Sequence, residues 1–293
     1  MLRSMYSGIS GLKNFQTKLD VIGNNIANVN THGFKKGRVI FKDLYSQTVA
    51  GASGPSASRG GVNPKQVGLG AQLGAIDTIH AGGSTQFTGN TLDLAIEGDG
   101  FFVVAQADGE SEPKPEQLLS LEKPLYTRAG NFYMDENGYI VNSDGYYLVG
   151  NADPVGEEKL EGGEFDDNNY VNIQIPLDAE SMSIGDNGEV TYVKDGELKP
   201  AGYLVMATFN NPGGLEKVGA NYYQVSPNSG DAAFASPTIS GMGATKSGSL
   251  EMSNVDLGEE FTEMIVAQRG FQANTRIITT SDEILQELVN LKR

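Results

Sequence analysis

Apolar residues repeat with helical spacing at both ends of this chain, and this pattern limits the available folds more than any other feature. In the first thirty residues they recur three or four positions apart, which indicates one amphipathic helix. It should end near residue 28 or 30, before Gly33, after roughly 40 Å at 1.5 Å per residue. The apolar positions are Leu2, Met5, Ile9, Leu12, Phe15, Leu19, Ile22, Ile26 and Val29.

The C-terminal residues carry a second helical pattern, whose steps alternate strictly between four and three. This is a heptad seam of about five repeats, with Asp256 or Asn254 as the N-cap. Pairing with the N-terminal helix inside one chain is the simplest expectation. A two-helix hairpin buries only one stripe of each helix, so the seams are also expected to serve neighbouring subunits. The seam positions are Leu257, Phe261, Met264, Gln268, Phe271, Thr275, Ile278, Asp282, Leu285 and Val289.

The sequence between the helices has the texture of antiparallel β structure. Short alternating runs such as LDLAIEGDGFFVV (92–104) are separated by Asn-Gly and Asp-Gly pairs, which are hairpin signals. The expected fold is therefore a mainly β body with long N- and C-terminal α-helices that form a coiled-coil-like inner domain.

Composition shifts suggest four regions. Residues 1–32 plus 251–293 form a helical inner domain, and 33–70 form a linker and extended segment, with 46–67 rich in Gly, Ser and Ala. Residues 71–150 plus 183–250 form the β-rich outer domain. The acidic stretch 151–182 is expected to be an insertion or surface excursion.

The charge and the lack of cysteine exclude several functions. The formal net charge of −16 argues against nucleic acid and anionic lipid as partners. Without cysteine there are no disulfides, thiolate metal sites or thiol catalysis. The charge is also uneven, with +5 over residues 1–45 (seven bases, two acids) and −4 over residues 250–293 (eight acids, four bases). Exposed pairs contribute only about 0–1 kcal/mol each, so this asymmetry favours a register between the two ends.

The sequence predicts neither membrane insertion nor a Sec-type signal peptide, because no apolar run approaches the ~20 residues of a membrane helix. Polar residues also interrupt MLRSMYSGISGLKNFQ before an apolar signal core can form. The chain is then either cytoplasmic or exported by a route that reads no such signal.

No catalytic or cofactor motif is complete. The glycines of residues 68–74 are spaced one residue too widely for a dinucleotide fingerprint, and residues 241–247 lack the glycine that a phosphate loop needs before Lys246. Residues 135–138 and 186–188 resemble fragments of a calcium loop, but hairpin turns explain them. A carboxylate-pair enzyme stays open, since acids are abundant. The expectation is no enzyme, no cofactor and no metal.

The end of the first helix carries four asparagines, although Asn is a poor residue inside helices. A helix stop with a capping Asn accounts for Asn30 and for Asn28, but not for Asn24 and Asn25. Polar residues at a packed position specify register at a cost in stability. We therefore expect some of these amides to form hydrogen bonds across subunits or to line a wet channel.

Four segments together resemble the hook and rod family of axial proteins of the bacterial flagellum. They are LDVIGNNIANVNTHGFKK (19–36), GFFVV (100–104), YTRAGNFYMDENGYIV (126–141) and the stretch from SNVDLGEEF to the end (253–293). GNNIAN and the SNVDL and MIVAQRGFQAN motifs are more similar to hook proteins than to distal rod proteins. The chain looks like a compact hook protein of the Gram-positive type, because it lacks room for a large inserted outer domain.

The resemblance implies a structural subunit that polymerises with itself into a helical tube, with the terminal helices inside and the β body outside. As a hook, it would be a flexible joint that transmits motor torque; the alternative is the distal rod, and a secreted adhesin or binding module is a more distant one. Implied partners are rod and hook-filament junction proteins, a hook cap and the flagellar type III export apparatus, which would place the protein outside the cell after export. The expected subunit-packing residues are Leu12, Leu19, Ile22, Asn24, Asn25, Ile26, Asn28, Asn30, Gly33, Phe34, Phe261, Met264, Gln268, Phe271, Ile278 and Leu285.

Overall fold

In a computed structural model, the chain forms two compact units, each built from separate stretches of sequence. The structure describes residues 2–55, 59–106, 124–151, 158–159, 170–239 and 241–291. The first unit comprises Met1–Ala27, Lys36–Ile79 and Val255–Arg293; the second comprises Asn28–Lys35 and His80–Asn254. Both terminal helices therefore belong to one unit, and this part of the predicted fold, a mainly β chain with an N-terminal and a C-terminal helix, is confirmed.

The first unit combines two long helices with short antiparallel strands. Strands β1 and β4 pair from Gly37 opposite Thr78 to Asp43 opposite Ala71, with a bulge between Ile40 and Phe41. The ring of Phe15 meets that of Phe41 edge-on at 6.4 Å, so α1 packs on this pair. The elements are α1 (Leu2–Ala27), β1 (Gly37–Asp43), β2 (Ser46–Ala50), β3 (Lys65–Gly68), β4 (Ala71–Thr78) and α2 (Leu257–Asn290).

The two helices run antiparallel with a constant register, in which the numbers of facing residues sum to about 285. Small residues allow their close approach. A Cβ on Gly8 would lie 3.4 Å from Ile278, and one on Gly270 would lie 2.5 Å from the ring of Phe15. Gly11, which costs a helix about 1 kcal/mol relative to Ala, leaves the space that the Asn274 amide occupies. These glycines weaken the helices locally but let them pack.

Residues 46–67, predicted as a linker, contain a β-hairpin instead. Strand β2 pairs with β3 from Ser46 opposite Gly68, and Ser53 and Val62 form a further bridge between the strands' extensions. Alternating Gln47, Thr48 and Val49 suit a strand, and of the residues counted as linker composition, Gly51, Gly60 and Gly61 lie between the paired strands and are described. Val49 and Val67 remain exposed to solvent in the single chain.

The second unit is almost entirely antiparallel sheet, with one short 3-10 helix at Pro212–Gly214. Its strands are β5 (Thr85–Phe87), β6 (Leu94–Glu97), β7 (Phe101–Ala105), β8 (Leu125–Thr127), β9 (Phe132–Met134), β10 (Ile140–Asn142), β11 (Tyr147–Asn151), β12 (Glu158–Lys159), β13 (Tyr170–Asn172), β14 (Ser181–Ile184), β15 (Glu189–Lys194), β16 (Glu197–Leu204), β17 (Met206–Thr208), β18 (Glu216–Gly219), β19 (Tyr222–Gln224), β20 (Ala233–Ala235), β21 (Ala244–Ser247) and β22 (Ser249–Glu251).

Strand β7 lies in the middle of the main sheet, which runs in the order β12, β20, β17, β7, β11, β16, β15, β14. All five β7 residues are buried. Phe102 and Val104 pack in one apolar cluster, while Phe101, Val103 and Ala105 pack in another. Successive side chains of a strand point to opposite faces, so both faces of the sheet are covered. The run GFFVV is continuously apolar for this reason.

The Asn-Gly and Asp-Gly pairs lie at hairpin turns, as predicted. Gly138, Gly145, Gly188 and Gly196 all have φ between 76° and 84°, a left-handed conformation that suits glycine. They separate β9 from β10, β10 from β11, β14 from β15 and β15 from β16.

Two of the expected boundaries differ from the observed elements. Residues 71–78, assigned from sequence to the outer domain, form β4 of the first unit. Within the stretch 151–182, residues 170–172 form β13, which pairs with β11, and Ile173 and Ile175 are buried in the core. The acidic composition of the preceding residues led the sequence analysis to assign these apolar residues to a surface excursion. Residues 107–123, 152–157 and 160–169, which hold most of the predicted surface excursions, lie outside the described residues.

Candidate assembly surfaces and buried polar sites

The face of α2 that meets α1 is not the whole predicted seam. Small and polar residues fill much of the face that contacts α1. The predicted seam was drawn from apolar residues and therefore missed them. The buried residues of α2 are Glu260, Ala267 and Ser281. At the predicted seam, Met264, Ile278 and Leu285 are half-buried, whereas Phe261, Gln268 and Phe271 are exposed.

A large apolar surface of α2 consequently faces solvent in the single chain. Phe261 is 50% exposed and Phe271 37% exposed. A concentration of large exposed apolar side chains on one helix is typical of an element that contacts other chains. The other exposed large apolar residues of this helix are Leu257, Ile265, Val266, Ile277, Ile284, Leu288 and Val289.

The predicted packing residues of α1 point largely into the chain itself. Ile22 is buried, and Leu12, Leu19 and Ile26 are half-buried. A substitution at Ile22 therefore disturbs the first unit before it affects any neighbour.

Asn25 fastens three elements of the first unit together. Its side-chain nitrogen donates to Gly37 O at 2.9 Å and to Glu260 Oε2 at 3.2 Å, and its oxygen accepts the Gly37 N–H at 3.0 Å. The residue is 2% exposed. One amide thus joins α1 to β1 and to α2. These hydrogen-bonding groups of Asn25 are engaged within the chain. Hydrogen bonds of the asparagines across subunits stay a prediction.

Glu260 is the acid that Asn25 holds. Burial raises its pKa above the ordinary value for Glu, and the Asn25 hydrogen bond and the Lys36 charge partly oppose this effect. Neighbouring acids of the first turns of α2 are paired: Lys36 Nζ lies 2.7 Å from Glu259, and Lys18 Nζ lies 3.0 Å from Glu263. The basic N-terminal stretch and the acidic start of α2 do set a register, as the uneven charge indicates.

The other asparagines lie at or beyond the end of α1. Asn24 and Asn30 are exposed and Asn28 is half-buried. The Thr31 hydroxyl donates to the Asn28 side-chain oxygen at 3.1 Å, and the Thr31 N–H donates to Asn28 O at 3.2 Å. Asn28 therefore caps the turn that ends the helix, as the plain helix-stop interpretation predicts.

Gly33 and Phe34 are buried in the second unit. Gly33 has φ +69°, and a Cβ there would lie 2.5 Å from the carbonyl carbon of Arg128, so only glycine fits. Its N–H donates to Glu251 O at 2.8 Å. The Lys217 ammonium lies 5.2 Å from the centre of the Phe34 ring. Phe34 therefore anchors the chain at this point, and its contact described here is with its own unit rather than with another copy.

A buried ion cluster lies beside Gly33. Lys35 Nζ lies 2.5 Å from Glu251 Oε1, and Arg128 Nη1 lies 3.2 Å from Glu251 Oε2. Their side chains are 0%, 1% and 3% exposed for Lys35, Glu251 and Arg128. Glu251 also accepts the Gly83 N–H at 3.0 Å, and Lys35 donates to Ala81 O at 2.9 Å. The cluster ties together segments that are far apart in the sequence.

Two cations share one carboxylate in this cluster. Burial lowers the pKa of Lys35, and attraction to Glu251 opposes that shift. Burial also lowers the pKa of nearby His80 to about 4, aided by the charges of Lys35 and Arg128. The His80 ring packs 5.6 Å from Phe101 and 5.5 Å from Tyr223, so it is held neutral among aromatic rings.

Sequence reasoning missed Lys35, Arg128 and Glu251. Lys35 and Arg128 lie in quoted family segments, and Glu251 lies two residues before one, but nothing local marks a charged residue for burial. Lys35 and Glu251 are 216 positions apart, and only the fold brings them together. A charged residue in an otherwise apolar or small-residue context, such as Glu251 between Leu250 and Met252, is the one weak signal available.

Among the described residues, no group of three or more His, Asp or Glu side chains is arranged to hold a metal ion. No helix in the same part of the chain is both long and apolar enough to span a membrane.

Paired terminal helices with an exposed apolar surface, joined to a β body, are typical of structural subunits that assemble with other chains. Three family models match the chain. They are "Flagella basal body rod protein" over residues 5–35, "Flagellar hook protein FlgE/F/G D1 domain" over 95–192 and "Flagellar basal body rod FlgEFG protein C-terminal" over 246–291. The chain belongs to the flagellar hook and rod family.

Relatives match over the full length of the chain. The "Flagellar basal-body rod protein FlgG" of Bacillus subtilis is 56% identical, with 100% of both chains covered. The protein of the same name in Agrobacterium fabrum is 34% identical over 97% of each chain. The "Flagellar hook protein FlgE" of Borreliella burgdorferi is 30% identical, again over 100% of both chains, but its alignment extends over 455 positions.

Membership confirms the expectation of a structural protein rather than an enzyme. Proteins of this family are components of the bacterial flagellum that polymerise and join other flagellar components. Membership of the family does not by itself distinguish a hook subunit from a rod subunit.

Proposed function

We propose that this chain is a subunit of the flagellar rod, which polymerises with copies of itself into a rigid helical tube. The supporting observation is the relative named as a rod protein, 56% identical over the whole of both chains. The alignment with it spans 295 positions, whereas that with the hook relative spans 455 for the same 293 residues. A hook relative thus carries a long insertion that this chain lacks. The sequence motifs favoured the hook and placed the rod second, and these relatives favour the reverse order.

In this proposal, the helices of the first unit supply contacts between neighbouring copies in the tube. Phe261, Phe271 and the other exposed apolar residues of α2 pack against neighbouring copies, because each helix buries only one stripe against its partner. Heterologous contacts that do not close generate a helical tube. The exposed hairpin of β2 and β3 packs between neighbours, since an isolated two-stranded hairpin is marginally stable in water. The proposed partners are other rod proteins, junction and cap proteins and the type III export apparatus.

The hook remains a second candidate function, because a relative named as a hook protein also aligns over the whole chain. A hook subunit would form a bending joint that transmits torque, with outer contacts that slide.

Labelling distinguishes the two. An antibody to the second unit is applied to intact flagellar bases and viewed by negative-stain microscopy. A rod subunit predicts label on a straight segment within the envelope. Label on a curved segment outside the cell surface would establish the hook function and overturn the rod proposal.

Assembly through α2 is tested separately with the purified chain. Phe271→Asp should abolish tube formation while far-UV circular dichroism of the monomer is unchanged, because the residue is exposed in the single chain. Gln272→Asp introduces the same charge at the adjoining, exposed position and serves as the matched control. Deletion of residues 254–293 should leave a β-rich chain that does not polymerise. Tubes formed by Phe271→Asp or by the deleted chain would contradict the proposed role of α2.

A further inference from the structure

The second unit contains a polar pocket where three of its connections meet. The β8–β9 connection contributes Asn131, the β10–β11 turn contributes Ser143, and the β18–β19 turn contributes Ala220 and Asn221. His32, which follows the end of α1, completes the wall. The pocket has a volume of about 250 Å³, whereas an apolar protein cavity of ~150 Å³ already accepts a benzene molecule. A ligand the size of one six-membered ring with its substituents therefore fits.

Hydrogen bonds between the walls hold this pocket in shape. The side-chain nitrogen of Asn221 donates to His32 O at 3.2 Å, which joins the β18–β19 turn to the segment after α1. On another side, the side-chain nitrogen of Asn142 donates to the Tyr222 hydroxyl at 2.6 Å. The polar wall is thus fixed in advance, and a ligand does not have to order it on binding.

The β18–β19 turn has an unfavourable backbone conformation at the pocket. Its two central residues, Ala220 and Asn221, have φ of +47° and +63°. The turn of the same length between β15 and β16 has Asp195 and Gly196 at these positions, with glycine second, as is usual for a type I′ turn. A side chain at positive φ is strained, and Ala has no polar group to compensate. Strain of this kind concentrates at functional sites, and both residues line the pocket.

The wall chemistry selects an uncharged ligand that is rich in hydrogen-bonding groups. None of the described residues that line the pocket is Lys, Arg, Asp or Glu, so an ion finds no counter-charge there. An apolar ligand would remove water from the Asn131 amide and the Ser143 hydroxyl without replacing its hydrogen bonds. Nδ1 of His32 is already buried with no hydrogen-bond partner in the described part of the chain, and such groups are rare in native structures.

A sugar ring matches both kinds of surface in this pocket. Its hydroxyl groups donate and accept hydrogen bonds at once, as do the amide of Asn131 and the hydroxyl of Ser143. Its C–H groups suit the two methyl groups of the wall, those of Ala129 and Ala220. The strained conformation of the turn places the second of these methyl groups, which glycine would lack, at the pocket.

We propose that this pocket binds a sugar ring, with Asn131 and Ser143 as hydrogen-bonding residues and Ala220 as an apolar contact. The inference goes beyond the proposed function and does not depend on it, because the whole pocket lies within the second unit. The same chemistry is offered by a free monosaccharide and by one ring of a glycan chain, and the test distinguishes these two sources.

The full chain is titrated as a monomer with methyl glucoside, N-acetylglucosamine and the trisaccharide chitotriose, and binding is followed by saturation-transfer NMR. The expected result is saturable binding, which Asn131→Ala weakens about tenfold, as the loss of one hydrogen bond predicts. The matched control is Asn210→Ala, at an exposed position outside the pocket, and it should bind as the unsubstituted chain does. Tighter binding of the trisaccharide identifies a glycan chain as the source, and equal binding identifies a single ring.

Three results would overturn the sugar site. They are no saturable binding of any of the three sugars, equal affinities in Asn131→Ala and Asn210→Ala, and tighter binding of N-acetylalanine amide, a peptide probe, than of every sugar.

A second variant tests the strained turn. Glycine adopts positive φ without strain, so Ala220→Gly should leave the urea midpoint of the chain unchanged or higher. It should nevertheless weaken sugar binding about fourfold, because one methyl contact is lost. Opposite effects on stability and on binding are not expected of a residue with a purely structural role. Unchanged affinity in Ala220→Gly would overturn the role of this turn.

Discussion

Replacing Glu251 by Gln tests the buried ion cluster most sharply. The carboxylate balances Lys35 at 2.5 Å and Arg128 at 3.2 Å, and all three side chains are at most 3% exposed. Gln still accepts the Gly83 N–H but removes the only negative charge among the three groups. Breaking a buried ion pair by removing one partner costs about 3–5 kcal/mol, because the remaining charge is left uncompensated. Because burial already lowers the pKa of Lys35, Lys35 can lose its proton in the variant. We therefore expect the loss of stability to lie near the lower end of this range, at about 3 kcal/mol.

The matched comparison is Lys35→Met, which leaves Arg128 and Glu251 as a balanced pair. Its cost should be clearly smaller than that of Glu251→Gln, about 1–2 kcal/mol, chiefly from the hydrogen bond that Lys35 donates to Ala81 O. The assay is urea unfolding of the monomer followed by far-UV circular dichroism, since the chain has no tryptophan. Equal losses for the two variants, or a loss below about 1 kcal/mol for Glu251→Gln, would refute the charge argument.

Three further predictions concern single residues. Gly33→Ala should destabilise the second unit by about 1–3 kcal/mol in urea unfolding, because φ is +69° and the new Cβ meets Arg128; Gly51→Ala, in open space, should be neutral. Asn25→Ala should lower the melting temperature of the first unit through a loss of about 1–3 kcal/mol, since Gly37 and Glu260 lose partners; an unchanged melting temperature would contradict this role. The pKa of His80 is lowered to about 4 from 6.5, so the unfolded chain binds the proton more readily and stability should fall between pH 6.5 and 4. His80→Gln should remove about 2 kcal/mol of that loss, allowing for the partial exposure of the ring. If the free energy of unfolding depends on pH in the same way in both chains, the proposed effect of His80 is refuted.

Local patterns predicted the elements that depend on local chemistry. The period of the apolar residues gave both helices, because one face of each must be buried. The Asp-Gly and Asn-Gly pairs marked the hairpins of the second unit, since Gly138 and its counterparts require positive φ.

Patterns failed where packing depends on distant residues. The contact face of α2 uses Ala267, which is buried, and Gly270, which leaves space for the ring of Phe15, and a count of apolar residues gives both little weight. The hydrogen bonds of Asn25 reach residues 12 and 235 positions away. For the same reason, the sequence alone could not show that the Asn25 amide, interpreted there as a contact to other subunits, forms hydrogen bonds within its own chain.

The order of segments along the chain bears on when the helical unit can form. Its three parts are the first 27 residues, 36–79 and the last 39, with the whole of β5 to β22 in between. A chain released from its N-terminus offers α1, β1 and β4 early, but α2 comes last. Contacts of such long sequence separation form slowly and only when both ends are present. Until residues 255–293 have been synthesised, a nascent chain consequently lacks the finished helical pair.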